Sequence, residues 1–230
     1  ICEAVISGAT DDCWIVPVST QYDKVVEADT YATELLGKEK KSENLKSFLD
    51  SRSFLKVNRG RIDVRIGEGF SLKQFMLDQA SSYQLKSVNA LNPVQRTLAL
   101  RAVAYRVLGD INRVSVVMPS ALVGTVLLTT RQRGLNRDDL VYRVRRLIDR
   151  VVERGGRIGT IVKPESELST AEISLMVSKA IKVLGTDLVT VETKQLLEPV
   201  CFAKDEFKLS YYRNQVIHLF VHETIVCTCI

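Results

Sequence analysis

Residues 12–27, DCWIVPVSTQYDKVVE, constrain the fold of this chain more than any other stretch. An apolar run, Cys13–Val18, breaks off into a polar loop. The run is apolar on both faces apart from Pro17, which predicts a parallel strand covered by helices on both sides. Pro17 cannot donate to a strand ladder, so it belongs near the strand's end. A strand of that kind needs helical neighbours, and the chain reads as α/β.

The flanking sequence supplies them. Ile1–Ile6 reads as the end of a helix stopped by Gly8. Ala28–Leu36 reads as a short helix ended by Gly37, and Lys38–Lys41 as a solvated loop. Glu43–Lys56 places Leu45, Phe48, Leu49, Phe54 and Leu55 on roughly one helical face. Arg61–Ile66 alternates, with Ile62, Val64 and Ile66 on one side and Arg61, Asp63 and Arg65 on the other. That pattern predicts a half-buried strand with the apolar side inward. Ser71 opens a helix through Asp78. Residues 1–79 thus form the mixed α/β part.

Residues 80–91 are polar and weakly patterned and read as a linker. Residues 92–230 are mainly helical. Asn92-Pro93 is a cap followed by proline at the first helical position, and opens a helix to about Asp110. A second helix runs from near Pro119 to Gly134. Asn136 caps a third, with Asp138 and Asp139 in its first turn where the helix dipole favours anions. Its expected core face is Leu140, Val144, Leu147, Ile148 and Val151. Ser169-Thr-Ala-Glu172 is a capping box, opening a helix that buries Ile173, Val177, Ile181 and Leu184 up to Gly185. Asp187–Glu192 reads as a strand. Ser210 reads as the cap of one last helix, YYRNQVIHLFVHETIV.

Composition limits the function classes. Hydrophobic residues make up 46% and charged residues 26%, the balance of a folded globular chain. The formal net charge of +5 suits an anionic ligand or an anionic membrane surface; no nucleic-acid partner is expected. The five cysteines have neither a disulfide-framework nor a zinc-site spacing, and read as reduced thiols. The longest charge-free run, Val114–Thr130, is interrupted by Pro119 and falls short of the roughly 20 apolar residues of a membrane span. The chain opens at Ile1, inside a helix, and closes on the apolar run IVCTCI; both ends read as cut.

The catalytic inventory is thin. The sequence has no GxSxG, no GxxxxGK[ST] and no GxGxxG. Its two histidines, His218 and His222, lie four apart on one helix, and nothing completes a metal set around them. No metal site and no catalytic residue is assigned. His218-x4-Glu223 has the spacing of a histidine–acid pair, but five residues apart on a continuous helix the two side chains diverge. Arg143, Arg145 and Arg146 form either a solvated face or a contact for phosphate or anionic lipid. Val57-Asn-Arg-Gly-Arg61 is either a plain hairpin or a turn that presents two guanidinium groups to a phosphate.

Three stretches carry a resemblance across nearly the whole chain, in order. WIVPVSTQYDKVVE (Trp14–Glu27), followed by YATELLGKEKKSENL (Tyr31–Leu45), resembles the fourth block of the glycerol-3-phosphate and dihydroxyacetone-phosphate acyltransferases. GRIDVRIGEGFSLKQF (Gly60–Phe75) is similar to that family's strand ending in Gly-Glu-Pro, with Gly69 where the family usually has proline. YRVLGDINRVSVVMPSALVGTVLLTTRQRGL (Tyr105–Leu135) and LSYYRNQVIHLF (Leu209–Phe220) are similar to its C-terminal helical region. The family's catalytic His-x4-Asp and its Gly-Thr-Arg-Ser block do not occur here.

The resemblance implies the C-terminal part of an αβ acyltransferase domain followed by a mainly helical C-terminal domain. It implies acyl transfer from acyl-CoA, a co-substrate rather than a cofactor, to the first hydroxyl of glycerol 3-phosphate. Dihydroxyacetone phosphate is the alternative acceptor. A different reading is a non-catalytic module that binds a membrane or a partner. On the resemblance, Ile15–Val18 lines the floor of the site and Pro17 shapes the strand end. Tyr22, Asp23 and Lys24 follow, with Lys24 as a charge on the phosphate side and Tyr22-Asp23 alternatively a plain turn. Arg113, Arg213, Asn214 and His218 form either a polar cluster facing substrate or a buried network that docks helices. The implied location is a membrane: endoplasmic reticulum, mitochondrial outer membrane, peroxisome or a bacterial membrane.

Overall fold

The computed structural model describes residues 1–25, 37, 60–130, 133–159, 168–193 and 198–229. The helices expected over residues 28–36 and 43–56 lie outside the described residues. The chain divides into two units, one of Ile1–Thr20 with Val64–Ser115, the other of Gln21–Asp63 with Val116–Ile230.

In the first unit, helix α1 (Cys2–Ile6) ends ahead of Gly8, whose φ of +76° suits the absence of a Cβ. Strand β1 (Trp14–Ile15) then pairs antiparallel with β4 (Phe70–Ser71), placing Trp14 opposite Ser71 and Ile15 opposite Phe70. Ser71 also starts helix α2 (Leu72–Ser81): its side chain accepts from the Gln74 amide. Leu72, Met76 and Ala80, spaced four apart, are fully buried against Ala99 and Val103 of helix α3 (Pro93–Val114). The start of α3 is as expected. Asn92 and Gln95 close a reciprocal capping box, and Pro93 takes the first turn, where its missing N–H costs nothing.

Strand β2 (Val18–Tyr22) pairs with β3 (Ile62–Ile66), and the chain passes from one unit into the other along both strands. The strand expected over Cys13–Val18 is therefore two short strands broken at Val16-Pro17. Its partners are antiparallel where their register is defined, not parallel. Pro17 is the cause: without an N–H it interrupts the ladder, while its carbonyl accepts from the Gly67 amide at 2.8 Å. Gly67 must be glycine there, since a Cβ would lie 2.7 Å from the Pro17 ring.

The faces of these strands also depart from the expectation. Ile62, Val64 and Ile66 point to solvent, 62%, 57% and 73% exposed. Trp14, Val16 and Val18 are exposed as well. The alternation in the sequence is real, but neither side is covered: Arg61 and Arg65 are exposed too, and Asp63 is half-buried. Residues 80–91 belong to the first unit's core: Ala80 and Leu91 are buried, and Leu85 and Val88 pack on the same cluster.

The second unit is built around helix α4 (Pro119–Leu128). Residues 119–124, Val126 and Leu127 are all buried. A helix apolar on every side must be enclosed on every side, and α5 (Arg137–Glu153), α6 (Thr170–Leu184) and α7 (Glu206–Ile217) all pack on it. Gly124 sets the closeness to α7, since a Cβ there would come within 3.3 Å of Leu209 and 3.4 Å of Tyr212. The helix stops at Leu128, short of Gly134, because the hydroxyls of Thr129 and Thr130 turn back onto the carbonyls of Val126 and Leu127.

Asn136 caps α5 and Ser169 boxes α6 as the sequence predicts. The strand expected at Asp187–Glu192 forms as β6 (Val189–Glu192), at one edge of an antiparallel three-stranded sheet. The other two strands, β5 (Leu135–Asn136) and β7 (Val200–Ala203), have no sequence expectation behind them. Ser210 is not a cap. Asp205 accepts from the Lys208 amide and starts α7 five residues earlier. The last helix is also interrupted: a 3-10 turn at His218–Phe220 separates α7 from α8 (Val221–Thr228).

Candidate functional site

Tyr22, Asp23 and Lys24 leave β2 at the point where the sequence places the site, and the structure gives each a different environment. Tyr22 is 43% exposed. Asp23 is buried. Its Oδ2 accepts from the Arg61 amide at 3.1 Å, and the Asp23 amide donates to the Arg61 carbonyl at 3.0 Å. The amide and hydroxyl of Ser120, in the first turn of α4, approach the same carboxylate. Oδ1 and the Ser120 Oγ complete no full hydrogen bond.

Asp23 thus places a carboxyl at the N-terminal end of the most buried helix of its unit, beside unpaired amides. Met118, at the capping position of α4, offers no side-chain cap, and the Asp23 carboxyl is an acidic group that approaches this helix start. Burial pushes the Asp23 carboxyl above the ordinary aspartate value; the Arg61 and Ser120 amides oppose the shift.

Lys24 meets the opposite pole. Its Nζ lies 3.7 Å from the place a Cβ on Gly185 would take, and Gly185 is the C-terminal cap of α6. Carbonyls at a helix C-terminus favour a cation. Adjacent residues of opposite charge therefore sit on complementary ends of two helices. Val25 completes the anchor: its side chain is in the core, and its amide donates to the buried Tyr212 hydroxyl at 3.2 Å.

The remaining candidates fall in both units. Pro17 is buried in the first unit at the strand break. Arg113, at the end of α3, is 75% exposed and pairs with Asp110 at 3.0 Å. Asp110 is buried and also accepts from Arg106 Nε at 2.5 Å, while the Arg106 guanidinium lies over the Phe70 ring. In the second unit Arg213 and Asn214 are exposed and hydrogen-bond to each other at 3.1 Å, so they form no buried docking network. His218 is half-buried in the 3-10 turn, and burial holds its imidazole below the ordinary histidine value.

Glu223 does not partner His218. Its carboxylate is taken by Arg150 and Arg154. The buried Cys201 thiol is pushed up by burial, the reverse of what a nucleophile needs. What the arrangement around residues 22–25 does chemically is fix a loop: it holds the chain leaving β2 against two helix ends and one tyrosine. Sequence reasoning named Asp23 but missed Tyr212, Asp110 and Ser120, since nothing local in their sequence reveals a distant partner.

Sequence comparisons add a class to this geometry. Residues 31–230 match the family described as the glycerol-3-phosphate acyltransferase C-terminal region, and the chain belongs to that family. It is 29% identical over 229 residues to a glycerol-3-phosphate acyltransferase of Haemophilus ducreyi, and 30% identical to one of Actinobacillus pleuropneumoniae serotype 3. A third relative, from Pasteurella multocida, is 28% identical. Each match covers 99% of this chain and 27% of the relative, so the chain spans about a quarter of the length of the curated relatives it matches.

Proposed function

We propose that these residues serve as the C-terminal part of an enzyme that transfers a fatty acyl group from acyl-CoA to the first hydroxyl of glycerol 3-phosphate. The match over residues 31–230 carries the reading, and the relatives' name favours glycerol 3-phosphate over dihydroxyacetone phosphate as acceptor. Abstraction of the hydroxyl proton requires a general base. The described residues offer no histidine–carboxylate pair for that role, because Glu223 is committed to arginines. The contribution of this part is positional: Asp23, Lys24 and Val25 fix the loop that follows β2, and Tyr22 stands exposed beside it.

The test is a chimera in which these 230 residues replace the matched region of the Haemophilus ducreyi relative, assayed for acyl-CoA-dependent acylation of glycerol 3-phosphate. The reading expects activity in the folded chimera and no turnover by the 230 residues alone. Turnover by the isolated chain, or a folded chimera inactive with glycerol 3-phosphate, overturns it.

A further inference from the structure

Helix α5 (Arg137–Glu153) carries more arginine than its packing uses. Arg143, Arg146 and Arg150 on the helix, with Arg154 at its C-cap, recur at i, i+3, i+7 and i+11. At about 100° per residue these positions fall within an arc of roughly 80°. Arg157 follows just beyond the helix, its carbonyl tied to the Val117 amide at 2.8 Å. Arg143, Arg146, Arg150 and Arg157 are exposed. Among the described residues, Arg143 and Arg146 have no ion pair. Arg145 lies off the stripe and is occupied by Asp149 and the Leu168 carbonyl.

Three carboxylates stand near the five arginines. Asp139 shares the face one turn earlier, Glu153 flanks it, and Glu223 arrives from helix α8 (Val221–Thr228) to pair with Arg150 and Arg154. The same two guanidinium groups lie over the Phe220 ring at 5.5 and 4.7 Å. These contacts hold α8 to the C-terminal end of the stripe, and α8 exposes Val221, Ile225 and Val226. A cationic row with an exposed apolar helix fastened to it is the composition of an interfacial surface.

We propose that the arginine stripe of α5, with α8, docks the second unit on an anionic lipid surface. This deepens the membrane reading above by naming the face. It does not depend on acyl transfer, because the measurement is binding. An acidic protein is the competing occupant, and the test separates the two.

The protein is sedimented with vesicles of phosphatidylcholine, alone and mixed with phosphatidylglycerol, at low and high salt. Binding to the mixed vesicles, weakened by salt, is expected. Since each arginine near a charged bilayer contributes a few-fold in affinity, the double variant R143Q/R146Q is expected to bind about twenty- to thirtyfold more weakly. R143K/R146K keeps the charge and is expected to bind like the wild type, and Ile225→Ser is expected to remove the part of the binding that survives salt. Equal binding to neutral vesicles, no binding to either kind, or full binding by a folded R143Q/R146Q protein overturns the proposal.

Discussion

Gly60 is folded against Asp23 so closely that a Cβ on Gly60 would lie 2.5 Å from the Asp23 Cβ and 2.8 Å from its Oδ2. Gly60 also has a φ of +73°, in the left-handed region. Both facts require glycine, for independent reasons. Gly60→Ala is expected to destabilise the second unit by about 2 kcal/mol or more, combining left-handed strain with a clash against a buried side chain. Urea unfolding measures it. A loss within about 0.5 kcal/mol, the range of an ordinary surface substitution, would mean that the Asp23 loop is not held as described.

Asp23 itself should give a pH signature of definite sign. Its folded carboxyl titrates above the ordinary aspartate value of 3.8, so the native state holds a proton that the unfolded chain has released. Its contribution is complete below 3.8 and is lost as pH rises through the folded value. Asp23→Asn is expected to remove that slope and to leave stability at neutral pH equal or higher. Asp23→Leu removes the acceptor of the Arg61 amide and is expected to cost about 1–3 kcal/mol. Stability curves of the three proteins against pH decide the matter, and an Asn variant as unstable as the Leu variant would count against a buried charge.

Tyr212 reaches from α7 to the Val25 amide at 3.2 Å, inside the core. Tyr212→Phe keeps the ring packing and removes only the acceptor. The expected cost is about 1–2 kcal/mol, together with faster hydrogen exchange at Val25. Unchanged exchange at Val25 would show that the bond does not form in solution.

Asp12 behaves in the opposite sense to Asp23. Its Oδ2 accepts from the Ser71 hydroxyl at 2.6 Å and its Oδ1 from the Lys73 and Cys13 amides at 2.9 and 2.7 Å. The Ser71 bond, then the Lys73 amide, holds its carboxyl below the ordinary range. This stabilisation is present above the unfolded value of 3.8 and disappears as pH falls through the lowered folded value. Carboxyl titration by NMR should place Asp12 low in the wild type, and Ser71→Ala should bring it back toward 3.8.

Helix starts were the most legible features. Asn92, Asn136 and Ser169 each act through a bond to a residue three positions on, so the signal and its partner lie in one window of sequence. Strand faces were not legible in that way. The alternation of Ile62, Val64 and Ile66 specifies two sides, but whether either side is covered depends on residues far away in the chain. Strands β5 and β7 are two and four residues long, too short for a pattern to stand out. At the site, the Tyr22-Asp23-Lys24 stretch was visible as a motif, while its two helix ends were not: Ser120 and Gly185 lie about 100 and 160 positions further along.

The uncovered strands have a practical consequence. Trp14, Val16, Val18, Val64 and Ile66 all stand open to water in the first unit, and the β1–β4 pair is only two strands wide. Short ladders with free edges and sticky side chains recruit one another. Preparations of these 230 residues are therefore expected to self-associate as concentration rises. Concentration and detergent are variables to control when they are purified.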